Sequence, residues 1–379
     1  MKKKMLLGTI TLASVILIAG CGNNGNEKTA DGQTTAKSKS AAVSIKSGSY
    51  ILPGEKTASE NEGYLALEVS IKNNTKDTLD ISSNDIALYD EDDNKISEES
   101  IYTDDSAFKK MSYEKLSGGK TANGYIVFKV EKDKKYELHY SKLTFDEKKK
   151  EKDIELKIDP KKYQDPTEDL KKMTETYVNQ VFLGKAAEAT EDSSSEDKQD
   201  SKKAEVYALS NNLEAEHTDF KQKFADNLKK DFDYYEPSAG EVGKVVDAYK
   251  AANQKKAKVT YQIAEMFPGK VTVYVKPETI NFDDVDTDSI SEKFVSENKG
   301  KYEIIDYDKI YQDAEKFILQ QLPAKFDQAP VSTPEYMKGE GYKVKLTKEN
   351  GKWTLDSSDT SSNYGYNELK ASFMGGLND

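Results

Sequence analysis

The chain has 379 residues, 33% of them charged, with 68 acidic residues against 56 basic ones and a formal net charge of −12. Every basic residue is lysine, so the planar guanidinium that grips phosphate or guanine through two parallel bonds is missing. An acidic, arginine-free surface argues against nucleic acid as a partner, because that binding draws on counterion release at a basic face. One cysteine (Cys21) and two histidines (His139 and His217) exclude an internal disulfide, a redox pair and a zinc centre rich in cysteine or histidine.

Met1–Lys4 is a positive start, and Met5–Ala19 is an apolar run of fifteen residues. That run is short of the roughly twenty residues of a membrane span, but it is the size of a signal peptide's apolar centre. Ile18-Ala19-Gly20-Cys21 then resembles the lipobox of bacterial lipoproteins. The resemblance implies that residues 1–20 are a leader and that Cys21 becomes the mature N-terminus, acylated on its sulfur. The protein would then be held on the outer face of the cell membrane, since two acyl chains at ~0.8 kcal/mol per buried methylene make a stable anchor. Loss of Lys2, Lys3 and Lys4 with the leader takes the formal charge from −12 to −15. The lysine-only basic content suggests an AT-rich genome and a Gram-positive host.

Residues 21–42 are rich in Gly, Asn, Thr, Ser and Lys without apolar periodicity, and read as a flexible tether of roughly 25 Å r.m.s. span. From Val43 to Ile158 the apolar residues recur with period two. Leu65, Leu67, Val69 and Ile71 share one face, with Glu68, Ser70 and Lys72 on the other. Ile86–Ile96 reads as a hairpin across Asp90–Asn94, and Ile126–Val130, Tyr136–Tyr140 and Ile154–Ile158 continue the strand series. Seven or eight short strands between polar turns predict an all-β immunoglobulin-like sandwich over 43–159. Tyr64–Thr75 with the hairpin after it looks like the telokin-like immunoglobulin domain, a likeness that carries no catalytic residue.

Asp159-Pro160 closes this part, and Asp165-Pro166 reads as the cap and first turn of a helix carrying Leu170, Met173, Tyr177 and Val181. Glu188–Lys203 is a charged, serine-rich loop. A long helix follows with Val206, Leu209, Leu213, Phe220, Phe224 and Leu228 on one face, and a shorter one carries Val245, Val246 and Tyr249. Val259–Ile263 and Val271–Val275 form a hairpin turning at Phe267-Pro268-Gly269. A helix spans Tyr307 to Phe326, and a second hairpin turns at Asn350-Gly351 before a short helix over Asn367–Met374. Helices and antiparallel hairpins in this order predict an α+β domain over 160–379. Its ending, Glu349–Leu355 with Gly-Lys-Trp, is similar to a C-terminal domain of unknown function in Gram-positive lipoproteins, and more loosely to cystatin-like and nuclear-transport-factor-2-like conical sheets.

No catalytic constellation is legible, and no cofactor or metal ligand set is predicted. Counted as calcium loops, Asp90–Asn94 places Lys95 and Ile101 where glycine and glutamate are needed, and Asp284 onward places Ser289 and Val295 there, so the first run reads as a solvated hairpin turn and the second as an acidic loop or a helix N-terminus. His217 on the apolar face of the long helix reads as a core or boundary residue. Asn73-Asn74-Thr75 reads as a strand turn. The 23 tyrosines invite a carbohydrate-platform reading, but most sit in hydrophobic stripes and read as core or sheet packing, with Tyr234-Tyr235 after the long helix the pair to watch. The expectation is a non-enzymatic binding or interaction module, anchored to the membrane through lipid on Cys21 and meeting an envelope protein or peptide. The alternative is a solute- or peptide-binding lipoprotein with a pocket in the α+β part.

Overall fold

The computed structural model describes residues 27–28, 34–54, 56–142, 151–186, 207–302, 306–334 and 339–377. Cys21, the leader 1–20, the run Glu188–Lys203 and Val206 lie outside the described residues. The first part consists of strands β1 (Glu27–Lys28), β2 (Thr34–Lys37), β3 (Ala41–Ile51), β4 (Glu62–Asn73), β5 (Leu79–Ile81), β6 (Ile86–Tyr89), β7 (Lys95–Ile96), β8 (Glu114–Leu116), β9 (Thr121–Glu131), β10 (Tyr136–Tyr140) and β11 (Ile154–Ile158). They form a five-stranded sheet in the order β1-β2-β3-β4-β9, a four-stranded sheet β11-β10-β6-β7 and a β5-β8 ribbon. All of these pairings are antiparallel.

The two larger sheets enclose one core. Leu65, Leu67, Val69 and Ile71 of β4 face Leu88, Leu138 and Leu156 from the opposite sheet, all essentially inaccessible to water. The alternation that predicts this inner face understates the other one. Tyr64 and Ala66 are also buried, because the outer face of β4 is covered rather than solvated.

Strand pairing begins earlier than the tether expected over 21–42 allows. Thr35, Ala36 and Lys37 pair with Ser44, Val43 and Ala42 of β3, and Glu151 accepts hydrogen bonds from the Ser40 backbone (3.2 Å) and hydroxyl (2.9 Å). These contacts run mainly through backbone, so a polar segment with one packed alanine shows no apolar period to announce them.

The second part holds α1 (Thr167–Tyr177), extended by a wide π-type turn over Val178–Phe182, then α2 (Leu213–Lys230) and α3 (Ala239–Lys256). After these come β12 (Lys258–Met266), β13 (Lys270–Glu278), α4 (Asp288–Asn298), α5 (Tyr307–Lys325), β14 (Tyr342–Glu349), β15 (Lys352–Leu355) and α6 (Tyr364–Ser372). Strands β12 to β15 form an antiparallel sheet in sequence order. Helix α2 starts at Leu213 rather than near Val206, because Asn212 caps it by accepting from the Ala215 N–H. Leu209 instead bridges to Trp353, where the Ser210 N–H donates to the Trp353 carbonyl (2.7 Å). Helix α3 is longer than its apolar cluster predicts, since a Ser238–Glu241 capping box sets its start well upstream of Val245. The Asn350-Gly351 turn is as predicted, with both residues at positive φ.

The two parts meet at the tip of the β12–β13 hairpin. Phe267, 2% exposed, sits with Phe108, Ile101, Tyr64, Ala66 and Val127 on the outer face of the five-stranded sheet. Its ring centroid lies 5.1 Å from that of Phe108, which stacks on Tyr125 at 4.7 Å. Backbone bonds flank it: Leu52 N–H to Met266 carbonyl (2.9 Å) and the reverse (2.7 Å). Asp105 accepts from the Gly269 N–H (2.8 Å), and a Cβ at Gly269 would lie 2.7 Å from that carboxylate and 2.9 Å from the Ala107 Cβ. The junction is therefore apolar at its centre and hydrogen-bonded at its edge. Phe267→Ala should cost about 3 kcal/mol and split thermal unfolding into two calorimetric transitions. A single transition at the unaltered temperature would show that the hairpin tip does not join the two parts.

A polar cleft beside the C-terminal helix

The 3.6-residue period places Glu216, Asp219 and Lys223 along one face of α2, opposite Tyr366 and Lys370, which are one turn apart on α6. The loop before α6 brings in Asp359, whose carboxylate receives Lys223 (2.7 Å) and the buried Lys370 (3.0 Å). The hydrogen bond from Lys223, with Lys370 beside it, holds the Asp359 carboxyl below its usual range. Beneath them Glu216 accepts from the Tyr177 hydroxyl (2.5 Å) and the Asn211 amide (2.8 Å), and the Tyr177 and Tyr366 hydroxyls lie 2.7 Å apart. Asn211 also brackets the Leu355 backbone, accepting from its N–H (2.9 Å) and donating to its carbonyl (3.0 Å). Burial, first of all, raises both phenols, so they stay neutral hydrogen-bonding groups.

Two cavities flank Lys370. One, about 280 Å³, is lined by Glu216, Asp219, Phe220, Lys223 and Tyr366; the other, about 310 Å³, by Asn227, Asp359, Tyr364, Asn367 and Met374. Their volumes fall at the lower bound for small-molecule sites. Lys223 and Lys370 share Asp359, and Lys223 also pairs with Asp219 (3.2 Å), so both ammonium groups of the cleft are matched by carboxylates.

His217 lies on α2 at the boundary of the core, as its position on the apolar face predicts. Its Nδ1 is 2.7 Å from the Val181 carbonyl, which can only accept, so Nδ1 carries the proton and Nε2 faces Lys250 Nζ at 2.9 Å. Gly184 closes this corner at φ 63°, where a Cβ would lie 2.8 Å from the His217 ring and 3.0 Å from Lys250 Nζ. His139 is elsewhere, on β10, with its ring 4.6 Å from Tyr89.

The acidic runs resolve into turns and caps. Asp90 accepts from the Asp92 and Asn94 N–H groups (3.0 and 2.8 Å), which makes its segment a hairpin turn. Asp286 pairs with Lys325 at 2.8 Å and caps Ser289, and the bond from Lys325 holds its carboxyl down at about 2. Asp284 accepts from Ser332 (2.7 Å), so the run from Asp283 points to several partners and leads into α4, the helix N-terminus of the two readings that the acidic run allows. Among the described residues no group of three or more His, Cys, Asp or Glu is placed to hold a metal ion. Asn73 is fully buried, donating to the Asp77 and Leu116 carbonyls (2.7 and 2.8 Å), in keeping with a strand turn. Tyr234 is exposed and Tyr235 half-buried after α2. The cleft itself is absent from the sequence reading: Tyr177 stands in an apolar stripe, and nothing local marks partners 39 and 189 residues away.

A family model described as a domain of unknown function (DUF4352) matches residues 24–166, the sandwich and its approach. The chain is also similar to a curated lipoprotein, the uncharacterized YcdA of Bacillus subtilis, at 31% identity over 192 residues. That match covers 48% of this chain and 52% of the relative, so the chain spans about half the length of the curated relative it matches. The crystal structure of a putative lipoprotein (YcdA) from the same organism superposes with a TM-score of 0.64 at 24% identity, over 89% of this chain and 97% of that one. A sandwich followed by an α+β region is thus a shared architecture. No helix among the described residues is long and apolar enough to cross a membrane.

Burial pushes the Lys250 amine down to about 8. Between about pH 8 and the ordinary lysine value near 10.5 the folded chain holds fewer protons than the unfolded one, so stability rises with pH across that window. Below pH 8 the penalty for burying the cation is fully present. Lys250→Met should raise Tm at pH 7 by about 2–4 °C and flatten the pH 8–10.5 rise, measured as the difference between variant and parent melting curves. Parallel curves for the two proteins would contradict it.

Proposed function

We propose that this chain is a lipid-anchored, extracytoplasmic, non-enzymatic binding module of a Gram-positive cell envelope, held to the membrane through Cys21. The observation that carries this reading is the order charged start, apolar run of fifteen residues, then Ile18-Ala19-Gly20-Cys21, with Cys21 the sole thiol. The likeness to a Bacillus lipoprotein supports it. In this reading residues 43–159 are an immunoglobulin-like unit, and 160–379 an α+β unit presented beside it through the hairpin contact at Phe267. Cys21→Ala should abolish incorporation of labelled palmitate and leave full-length precursor or shed protein in the medium. Labelling that persists in the variant would overturn the anchor.

The cleft beside α6 favours a second reading, capture of a small peptide or solute. Its two cavities of about 280 and 310 Å³ meet at Lys370, whose charge is balanced by Asp359. Dialanine added at about 10 mM, within reach of a weak site, should move the amide resonances of Tyr366 and Lys370, and Lys370→Met should remove the effect. Unmoved resonances would sink this reading while leaving the anchored module intact.

A further inference from the structure

Tyr307, Tyr311 and Glu315 stand at four-residue spacing on α5 and so share one face of the helix. Glu315 accepts from three consecutive backbone N–H groups, those of Asp233 (3.1 Å), Tyr234 (2.9 Å) and Tyr235 (2.7 Å). This cradle pins the loop after α2 onto α5, and Tyr235 is fixed further by its hydroxyl on Glu241 (2.9 Å). The result is that Tyr234 lies against Tyr311, ring centroids 4.8 Å apart and planes 24° off parallel. Tyr234 and Tyr311, held together in this way, are still 47% and 51% exposed, and Tyr307, one turn before Tyr311, is 59% exposed. None of their hydroxyls hydrogen-bonds to another described residue. The stripe is about 6 Å along the helix plus the Tyr234 ring, the scale of two linked sugar rings.

We propose that this tyrosine stripe is a stacking platform for a neutral chain of pyranose rings. The proposal deepens the reading of the chain as an envelope binding module, on a surface separate from the cleft at Lys370. Three features select that partner. Phenol rings offer negative π faces to the weakly positive C–H face of a pyranose, and their free hydroxyls meet the sugar's hydroxyl groups. Exposed Asp233, Glu236, Asp306 and Asp308 surround the stripe against Lys309 and Lys316, so an anionic polymer is repelled and a neutral one is not. The Glu315 cradle pre-orders the rings, which lowers the entropy lost when a stiff ligand stacks on them.

The test is an NMR titration of the full mature chain with two neutral probes, the hexamer of β-1,4-linked N-acetylglucosamine and cellohexaose, and with dextran sulfate as the anionic control. Shifts centred on Tyr234, Tyr307 and Tyr311 with one or both neutral probes, and none with dextran sulfate, are expected; which probe binds tells an acetamido sugar from a plain glucan. Tyr311→Ala and Tyr234→Ala should weaken binding by up to about tenfold without moving Tm, whereas Tyr311→Phe keeps the stack and most of the affinity. Tyr311→Leu separates stacking from plain apolar contact, and binding by it as tight as the parent's would overturn the proposal. So would the absence of any shift with both neutral probes, or equal binding of dextran sulfate. Because the titration is done in solution, it fails or succeeds independently of acylation at Cys21.

Discussion

Phe267 occupies an apolar depression made by Phe108, Ile101 and the outer face of the five-stranded sheet, and much of the rest of the architecture depends on that contact. An antiparallel sheet can leave one face to water, but Tyr64, Ala66 and Val127 give this one two apolar faces. The second face needs a cover, and the β12–β13 turn provides it from well over a hundred residues further along the chain. Met266 and Leu52 then exchange backbone hydrogen bonds, so the β12 end of the distal sheet is tied directly to the end of β3. The cores on either side remain distinct clusters, joined by the Phe267 ring, the Leu52–Met266 backbone pair, the Asp105 carboxylate on the Gly269 N–H and the Lys270–Asp104 ion pair.

The excess of acid and the absence of arginine shape how charge is handled inside. Lysine offers a compact cation on a flexible stem, and where the fold buries one it supplies a specific counterpart. Lys370 has Asp359, which also serves Lys223, and this arrangement secures the loop before the last helix. Among the described residues the Lys250 ammonium is given an imidazole nitrogen rather than a carboxylate, and burial pushes its amine down. Tyrosine divides along similar lines. Tyr177 and Tyr366 are interior hydroxyls that complete a network around Glu216, whereas Tyr234 and Tyr311 hold their rings in solvent.

Periodicity made the elements legible and could not show what lies between them. Leu65 through Ile71, the Asn350-Gly351 turn and the helix from Tyr307 are local signals of apolar spacing or backbone preference, and the structure carries them as read. Strand β2 shows no period because it pairs through its backbone, and the acidic run before α4 reads equally as a loop or a helix start. The start of α2 was misplaced because Leu209 keeps the helical spacing while bonding to a strand. Glu216 and Tyr366 are unremarkable in their own segments. They become a site only when α6 returns against α2, a long-range event without a sequence period.

Strand β2 has a geometric consequence for a chain anchored at Cys21. The pairing of Thr35 with Ser44, and of Glu27 with Thr35 beyond it, draws chain out of the stem and into the body of the sheet. Thirteen peptide steps lead from Cys21 to Thr34 and six to Glu27, giving leashes of at most about 45 Å and 20 Å, against about 70 Å for a free stem reaching residue 42. A shorter leash confines the folded body to a thinner layer above the bilayer and raises its effective concentration toward anything else fixed in that layer. With the proposed acylation at Cys21, the short leash would also limit rotation and keep the β1–β2 edge of the sheet nearer the lipid than a free stem would.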